Sequence, residues 1–315
     1  MRVLLTGASG YLGQHLLVAL DAAGHTVHGT YATVETLATL ARLLHVELHP
    51  LDLADAQSVR AVLEASAPEV VIHCAALSSP VACERDVPRA KSVNCPVELL
   101  DALPPNAAVI FLSTDQVYDG HAAPYSEQSA TEPVNEYGRT KLAFEGLLQQ
   151  RLPQRFVVLR SSLIIGHNTP SECRKQSFLQ FCDERLSAGI ATEFFSDEIR
   201  SVVHVSDVCE VVVRLVRRIS MDSTGGVIGG IAGVYNMGGP RGVARDEIAR
   251  EVAKWRGHNP SSIRPVRRFS EDLPFGPLGG VPSPPDITMD SSRLSNLLGL
   301  DFRALDRAVS TSFPR

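Results

Sequence analysis

Several things are scarce in this 315-residue chain, and each scarcity removes a class of function. Basic residues do not dominate: 30 Lys and Arg stand against 35 Asp and Glu, a net charge of −5. A surface that grips nucleic-acid phosphates is usually basic, so no nucleic-acid partner is expected. No apolar run reaches the ~18 residues of a membrane span. The six cysteines (Cys74, Cys83, Cys95, Cys173, Cys182, Cys209) form no C-x-x-C pair. They read as reduced, buried thiols rather than a disulfide frame or a zinc site. The remaining histidines lack spacings such as H-E-x-x-H, and no metal is expected. Met1-Arg2-Val3-Leu4-Leu5-Thr6 runs straight into a core strand and leaves no room for a targeting peptide, so a cytoplasmic protein is expected.

What is present has a clear rhythm. Short apolar runs at Arg2–Thr6, Thr26–Thr30, Val46–Pro50, Glu69–His73, Ala107–Leu112 and Phe156–Arg160 alternate with helical patterns at Tyr11–Ala23, Ala54–Ser66, Val87–Leu103 and Asn135–Arg151. Apolar strands separated by helices predict an α/β fold with a doubly wound parallel sheet. After Gly166 the rhythm changes: helices at Arg174–Gly189, Asp207–Ile219 and Asp246–Trp255, strands at Ser201–Val205 and Val234–Met237, and two short helices at Asp290–Leu298 and Phe302–Ser310. Gly225–Gly230 reads as a loop, as does the Pro- and Gly-dense stretch from His258 to Ile287, whose Arg264, Arg267 and Arg268 suggest a solvated face. The expected division is a dinucleotide-binding domain over 1–165, with 200–220 returning to it. A smaller α/β substrate-binding domain would comprise 166–199 and 221–315.

Thr6-Gly7-Ala8-Ser9-Gly10-Tyr11-Leu12-Gly13 sits where the first strand hands over to the first helix. Gly7 permits the tight turn, Gly10 lets backbone approach a pyrophosphate, and Gly13 allows close helix–sheet packing. The helix N-terminus offers free N–H groups to phosphates. NAD sites carry an Asp or Glu ~20 residues further on, for the ribose 2′-hydroxyl. Here the second strand ends His28-Gly29-Thr30-Tyr31-Ala32, with no carboxylate before Glu35. NADP(H) is therefore favoured and NAD(H) left open.

Tyr137 and Lys141 are four apart, hence on one face of a helix. Carbonyl reduction needs a proton donor at the oxygen as hydride reaches the carbon, and a neighbouring cation would make a phenol fit for that. A hydroxyl at the tip of the fifth apolar run, in Ser113-Thr114-Asp115-Gln116-Val117-Tyr118-Asp119-Gly120, could bond the developing alkoxide.

These motifs, with the T-G-x-x-G-x-x-G spacing, Pro124-Tyr125-Ser126-Glu127 and Pro133-Val134-Asn135-Glu136-Tyr137-Gly138, resemble the extended short-chain dehydrogenases/reductases. Within them the chain is similar to dTDP-4-dehydrorhamnose reductase and to the regulatory beta subunit of methionine adenosyltransferase. The resemblance implies Thr114, Tyr137 and Lys141 as catalytic residues. It implies cofactor contacts from Gly7, Ser9, Gly10, Tyr11, Leu12, Gly13, Thr30, Tyr31, Asp52, Leu53, Cys74, Ala75, Ala76, Tyr137, Lys141, Arg160, Ser161 and Ser162. Thr114, Asp115, Gln116 and Arg200 would meet the substrate, Arg200 through its phosphates, and Asn94 would be a buried asparagine. Pro284-Pro285-Asp286-Ile287, with Asp290 and Leu294, resembles the C-terminal segment of both subfamilies. His73-Cys74 departs from the reductases' N-A-A-A and matches the beta subunits. Gln116 stands where dehydratases carry a second acid, and cannot shuttle protons. Two functions follow from the resemblance. One is an enzyme, an NADPH-dependent reductase of a nucleotide-linked 4-keto-deoxy sugar. The other is a cofactor-binding regulator that docks on a methionine adenosyltransferase catalytic subunit. A homodimer is left open.

Overall fold

The computed structural model describes residues 1–32, 44–171, 173, 176–219, 230–276 and 280–313. Glu35, Gly225–Gly229, Arg174 and Lys175 therefore lie outside the described residues.

The strands are β1 (Arg2–Thr6), β2 (Thr26–Tyr31), β3 (Val46–Pro50), β4 (Val70–His73), β5 (Ala108–Thr114), β6 (Phe156–Ser161), β7 (Ile164–Ile165), β8 (Thr192–Phe195), β9 (Ile199–Arg200), β10 (Val203–His204), β11 (Gly233–Met237), β12 (Val243–Ala244) and β13 (Ile263–Val266). The helices are α1 (Tyr11–Ala22), α2 (Ala56–Ser66), α3 (Pro80–Arg85), α4 (Val87–Asn94), α5 (Val97–Asp101), α6 (Glu136–Arg151), α7 (Phe178–Ser187), α8 (Val205–Arg218), α9 (Arg245–Arg256), α10 (Ser292–Leu298) and α11 (Leu305–Ser312). Seven strands form one sheet in the order β11-β6-β5-β4-β1-β2-β3, and every pairing in it is parallel.

Both faces of that sheet are covered, which is why β4 and β5 are buried along their whole length. On one face Leu12, Leu16, Leu17 and Leu20 of α1 meet Val208, Val211, Val212 and Leu215 of α8. On the other, Val59 and Leu63 of α2, Leu99 of α5, and Phe144 and Leu148 of α6 pack on Leu4, Val71 and Phe111. Sequence order reverses between β1 and β4, the switch point at which such sheets open a crevice beyond the strands' carboxyl ends. A separate core unites α7, α9 and α11 through Leu179, Leu186, Ile248, Val252 and Val309.

Three sequence expectations give way here. The helix expected over Val87–Leu103 is two helices. Pro96 has no N–H to continue the ladder, so α4 ends at Asn94 and α5 begins at Val97. Helix α3 was not foreseen; Ser79 caps it by accepting from the Ala82 N–H at 3.3 Å, with Pro80 at its start. Strand β11, assigned with 221–315 to the smaller domain, pairs with β6 at the edge of the central sheet, and Leu294 and Leu298 of α10 join the core beneath it. The chain thus returns to the larger layer once more than expected. The stretch from His258 to Ile287 is also more than a surface loop, since β13 within it pairs with β8.

Candidate functional site

A cleft of about 1380 Å³ lies along the carboxyl ends of the strands. Its floor is the turn from β1 to α1. Gly7 has φ +71°, and a Cβ there would sit 2.7 Å from the Ala75 backbone, so only glycine lets the turn pass this close to the loop after β4. The Thr6 hydroxyl fixes that loop from the other side, accepting from the Cys74 and Ala75 N–H groups at 3.2 Å each. Helix α1 has Gly10 at its N-cap and no side-chain cap, whereas Asp55 caps α2 and Asn135 caps α6. The first N–H groups of α1 are left to face the cleft, a ready site for phosphate. The ends of β2 and β3 add Thr30, Tyr31, Ala32, Leu51, Asp52 and Leu53.

The end of the cleft that holds Tyr137 and Lys141 is built by α6. The Asn135 side chain accepts from the Gly138 N–H at 3.0 Å and donates to the Gln116 side-chain oxygen at 2.9 Å. This ties the helix to the 3-10 turn Asp115–Val117. A Cβ on Gly138 would lie 2.2 Å from the Gln116 carbonyl oxygen, so glycine is what permits the approach. The approach sets Tyr137 within hydrogen-bonding reach of Thr114. Asn94, fully buried, holds α6 to the loop after β4. It accepts from the Leu77 N–H at 2.8 Å and donates to the Thr140 hydroxyl at 3.1 Å.

Burial dominates the electrostatics. It pushes the Tyr137 phenol above its ordinary pKa, with the Thr114 hydroxyl pulling back and the Asp115 charge adding to the rise. The expected lowering of this phenol by Lys141 is not among the leading effects. Burial instead brings Lys141 down to about 7, opposed by Cys74 and Glu145. Its ammonium sits 4.1 Å above the Phe111 ring. Burial likewise raises Asp115, although Arg200, Ser162 and Thr114 favour its charged form. One Asp115 oxygen has no partner among the described residues.

Of the residues singled out from the sequence, the cleft brings together Gly7, Ser9, Gly10, Tyr11, Leu12, Gly13, Thr30, Tyr31, Asp52, Leu53, Cys74, Ala75, Ala76, Thr114, Asp115, Gln116, Tyr137, Lys141, Ser161, Ser162 and Arg200. Arg160 is the exception. Neighbours in a strand point to opposite faces, and Arg160 turns away to pair with Glu145 at 2.8 Å and to donate to the Tyr118 hydroxyl at 2.9 Å. Arg200 lines the cleft but is buried, with its terminal nitrogens spent on the chain itself. It donates to the carbonyls of Ile199, Pro284 and Pro285 and to the Ser283 hydroxyl, at 2.6–3.2 Å.

A family profile described as the RmlD substrate binding domain matches residues 1–312. The chain belongs to that family. A dTDP-4-keto-6-deoxy-D-glucose reductase of Streptomyces niveus is 28% identical over 269 residues, 84% of this chain and 82% of its own. Methionine adenosyltransferase 2 subunit beta of Xenopus laevis is 27% identical over 302 residues, 94% of this chain and 82% of its own. Among solved structures, dTDP-4-dehydrorhamnose reductase of Bacillus anthracis in complex with NADP superposes with a TM-score of 0.76 at 19% identity. It covers 99% of this chain and 98% of that one. At that identity the likeness bears on the fold.

Beyond the motifs, this RmlD-family cleft contains residues that sequence reasoning missed. Glu198, buried, is ringed by Arg245 at 2.8 Å, Arg268 at 3.3 Å and Arg200 at 3.4 Å. Arg200 and Arg245 do most to hold it near pKa 2 against burial. Arg268 is thus partly withdrawn from the solvated face expected of it, while Arg267 stays exposed. Phe178, Phe181 and Phe194 pack as an aromatic group at the cleft's far end, and Arg245 lies 5.0 Å from the Phe178 ring centre. These residues come from elements brought together by the β9–β12 and β13–β8 pairings and by the packing of α7 on α9, so no local spacing links Glu198 to Arg245 and Arg268. The cysteines are all free. Among the described residues no helix is long and apolar enough to cross a membrane.

Proposed function

We propose that the protein is an NADPH-dependent reductase of a nucleotide-linked 4-keto-deoxy sugar. The observation that carries the reading is the meeting of Thr114, Tyr137 and Lys141 in one cleft, continuous with the uncapped N-terminus of α1. A bound nicotinamide cofactor would supply hydride to the carbonyl carbon. Ser9 to Gly13 would hold its pyrophosphate, and Thr30, Tyr31, Asp52 and Leu53 its adenosine end. Cys74, Ala75, Ala76, Ser161 and Ser162 would line its nicotinamide end. Tyr137 gives its proton to the carbonyl oxygen and regains one from water, while Thr114 donates a hydrogen bond to that oxygen as charge builds. Lys141 would hold the ribose hydroxyls and, once a diphosphate charge fills the cleft, regain a full ammonium.

The test is NADPH oxidation by purified protein given dTDP-4-dehydrorhamnose. Turnover in proportion to enzyme is the expected result, with NADPH bound more tightly than NADH. Dehydration of dTDP-glucose would overturn the reading, because Gln116 cannot act as the second acid.

A second reading is favoured by one feature. Arg200, the residue expected to grip a substrate diphosphate, has both terminal nitrogens engaged by its own chain. A cofactor-binding subunit that docks on a methionine adenosyltransferase would need no such grip. Inertness toward 4-keto sugars, with capture of a methionine adenosyltransferase catalytic subunit, supports this alternative.

A further inference from the structure

Outside the cleft, two strands bring three ligand-bearing side chains to one spot. His28 lies on β2 and pairs in register with Glu47 of β3. His49 follows two residues on, hence on the same face as Glu47. The His28 Nδ1 is 3.1 Å from the His49 Nε2 and 3.6 Å from a Glu47 carboxylate oxygen. All three ligand atoms lie within 4.8 Å of one another, and this is the one such cluster among the described residues.

We propose that His28, Glu47 and His49 bind one zinc-class divalent ion across the edge of the sheet. Zinc–ligand bonds of about 2.0–2.1 Å at tetrahedral angles set neighbouring ligand atoms roughly 3.3 Å apart, so the 3.1 and 3.6 Å separations from His28 match two edges of such a tetrahedron. Two imidazoles on such an ion hold their ring centres about 5.2 Å apart; here they are 5.3 Å apart. The Glu47 side chain is 73% exposed, so water reaches the fourth position. Two imidazoles and a carboxylate suit zinc better than magnesium or calcium, which favour oxygen alone. None of the three lines the cleft, which separates this ion from the chemistry there. It would pin edge strand β3 to β2 just before Thr30, Tyr31, Pro50 and Leu51 enter the cleft wall. No sequence spacing announces the cluster, because His28 and His49 are near only through strand pairing.

The experiment is titration of chelator-stripped protein with zinc by calorimetry and with cobalt(II) by absorption. One equivalent is expected, with a tetrahedral cobalt spectrum free of thiolate charge transfer, and with a melting temperature that rises with free zinc. Even outer-shell partners of a metal are worth about 10–100-fold, so His49→Ala should weaken binding by more than that. Glu47→Gln, at an exposed position, tests the carboxylate without threatening the fold. A bare imidazole–imidazole hydrogen bond explains the 3.1 Å contact equally well and requires no metal affinity. Absence of stoichiometric binding, thiolate bands in the cobalt spectrum, or unchanged affinity in a folded His49→Ala protein would overturn the proposal.

Discussion

Replacing Arg160 by methionine separates structure from chemistry at the cleft wall. The guanidinium donates to both oxygens of Glu145, at 2.8–3.3 Å, and to the Tyr118 hydroxyl. Both partners of the ion pair are almost fully buried. Removing one partner of such a pair strands the other charge, at a cost of about 3–5 kcal/mol. Glu145 would keep only the Ser113 hydroxyl, which donates to it in a short contact. Tyr118 would remain satisfied, because it donates to Asn236 at 2.8 Å. At about 2 °C per kcal/mol for a chain of this size, melting should fall by roughly 6–10 °C. The double variant Arg160→Met/Glu145→Gln should recover much of that loss, because no charge is then left buried alone. Urea denaturation followed by circular dichroism measures stability, and fluorescence titration of NADPH measures binding. If Arg160→Met keeps wild-type stability and instead loses NADPH affinity, the residue belongs to the cofactor site and the assignment made from its side-chain direction is wrong.

Tyr137→Phe should lower kcat by about 100-fold or more while leaving the NADPH Kd nearly unchanged, since the phenol is needed only as the carbonyl takes hydride; retained turnover in a steady-state assay would remove it from the mechanism. Lys141→Met should stabilise the cofactor-free protein at neutral pH. The wild-type lysine titrates near 7 when folded and near ~10.4 unfolded, so its burial penalty is complete below pH 7 and relieved as pH rises toward 10. The stability gap between the two proteins should therefore be widest, on the order of several kcal/mol, at pH 6 and close by pH 10; a gap independent of pH in urea melts would contradict this. Gly138→Ala should cost about 1–3 kcal/mol by overpacking against the Gln116 carbonyl and should reduce kcat by shifting Tyr137 from Thr114; a crystal structure with an unmoved helix α6 and full activity would count against both.

The sheet was legible because a strand covered on both faces must be apolar throughout, and all six early runs lie within a residue or two of observed strands. The switch-point cleft followed from strand order, and the glycine turn from backbone needs that glycine alone meets. What escaped was non-local. Strand β11 reads as an ordinary apolar run, and nothing in its composition says which sheet it joins; that depends on how the chain returns after α8. Glu198 and Arg245 are brought together by tertiary structure, and no periodicity links them. The Arg160 side chain, too, is claimed by distant partners, Glu145 and Tyr118, that no spacing announces.

The two halves of the cleft differ in how much charge they leave free. Around Tyr137 and Lys141 the groups needed for proton transfer are buried and close, and α1 leaves its N–H groups uncapped. On the other side, Arg200 spends its terminal nitrogens on carbonyls and a serine, and Glu198 draws on Arg200, Arg245 and Arg268 together. A diphosphate entering there would have to compete with a carboxylate held near pKa 2. Arg245 is better placed than Arg200 for that exchange. Its side chain is 18% exposed against 4% for Arg200, and it stands against the Phe178 ring, where a flat base and a phosphate could be met together. Substrate grip would then come from a residue at the start of α9, in the layer of the fold built around α7, α9 and α11. The proposed proton-transfer groups belong instead to β5 and α6. A relative could therefore keep the reacting half intact while losing turnover through changes near Glu198 alone.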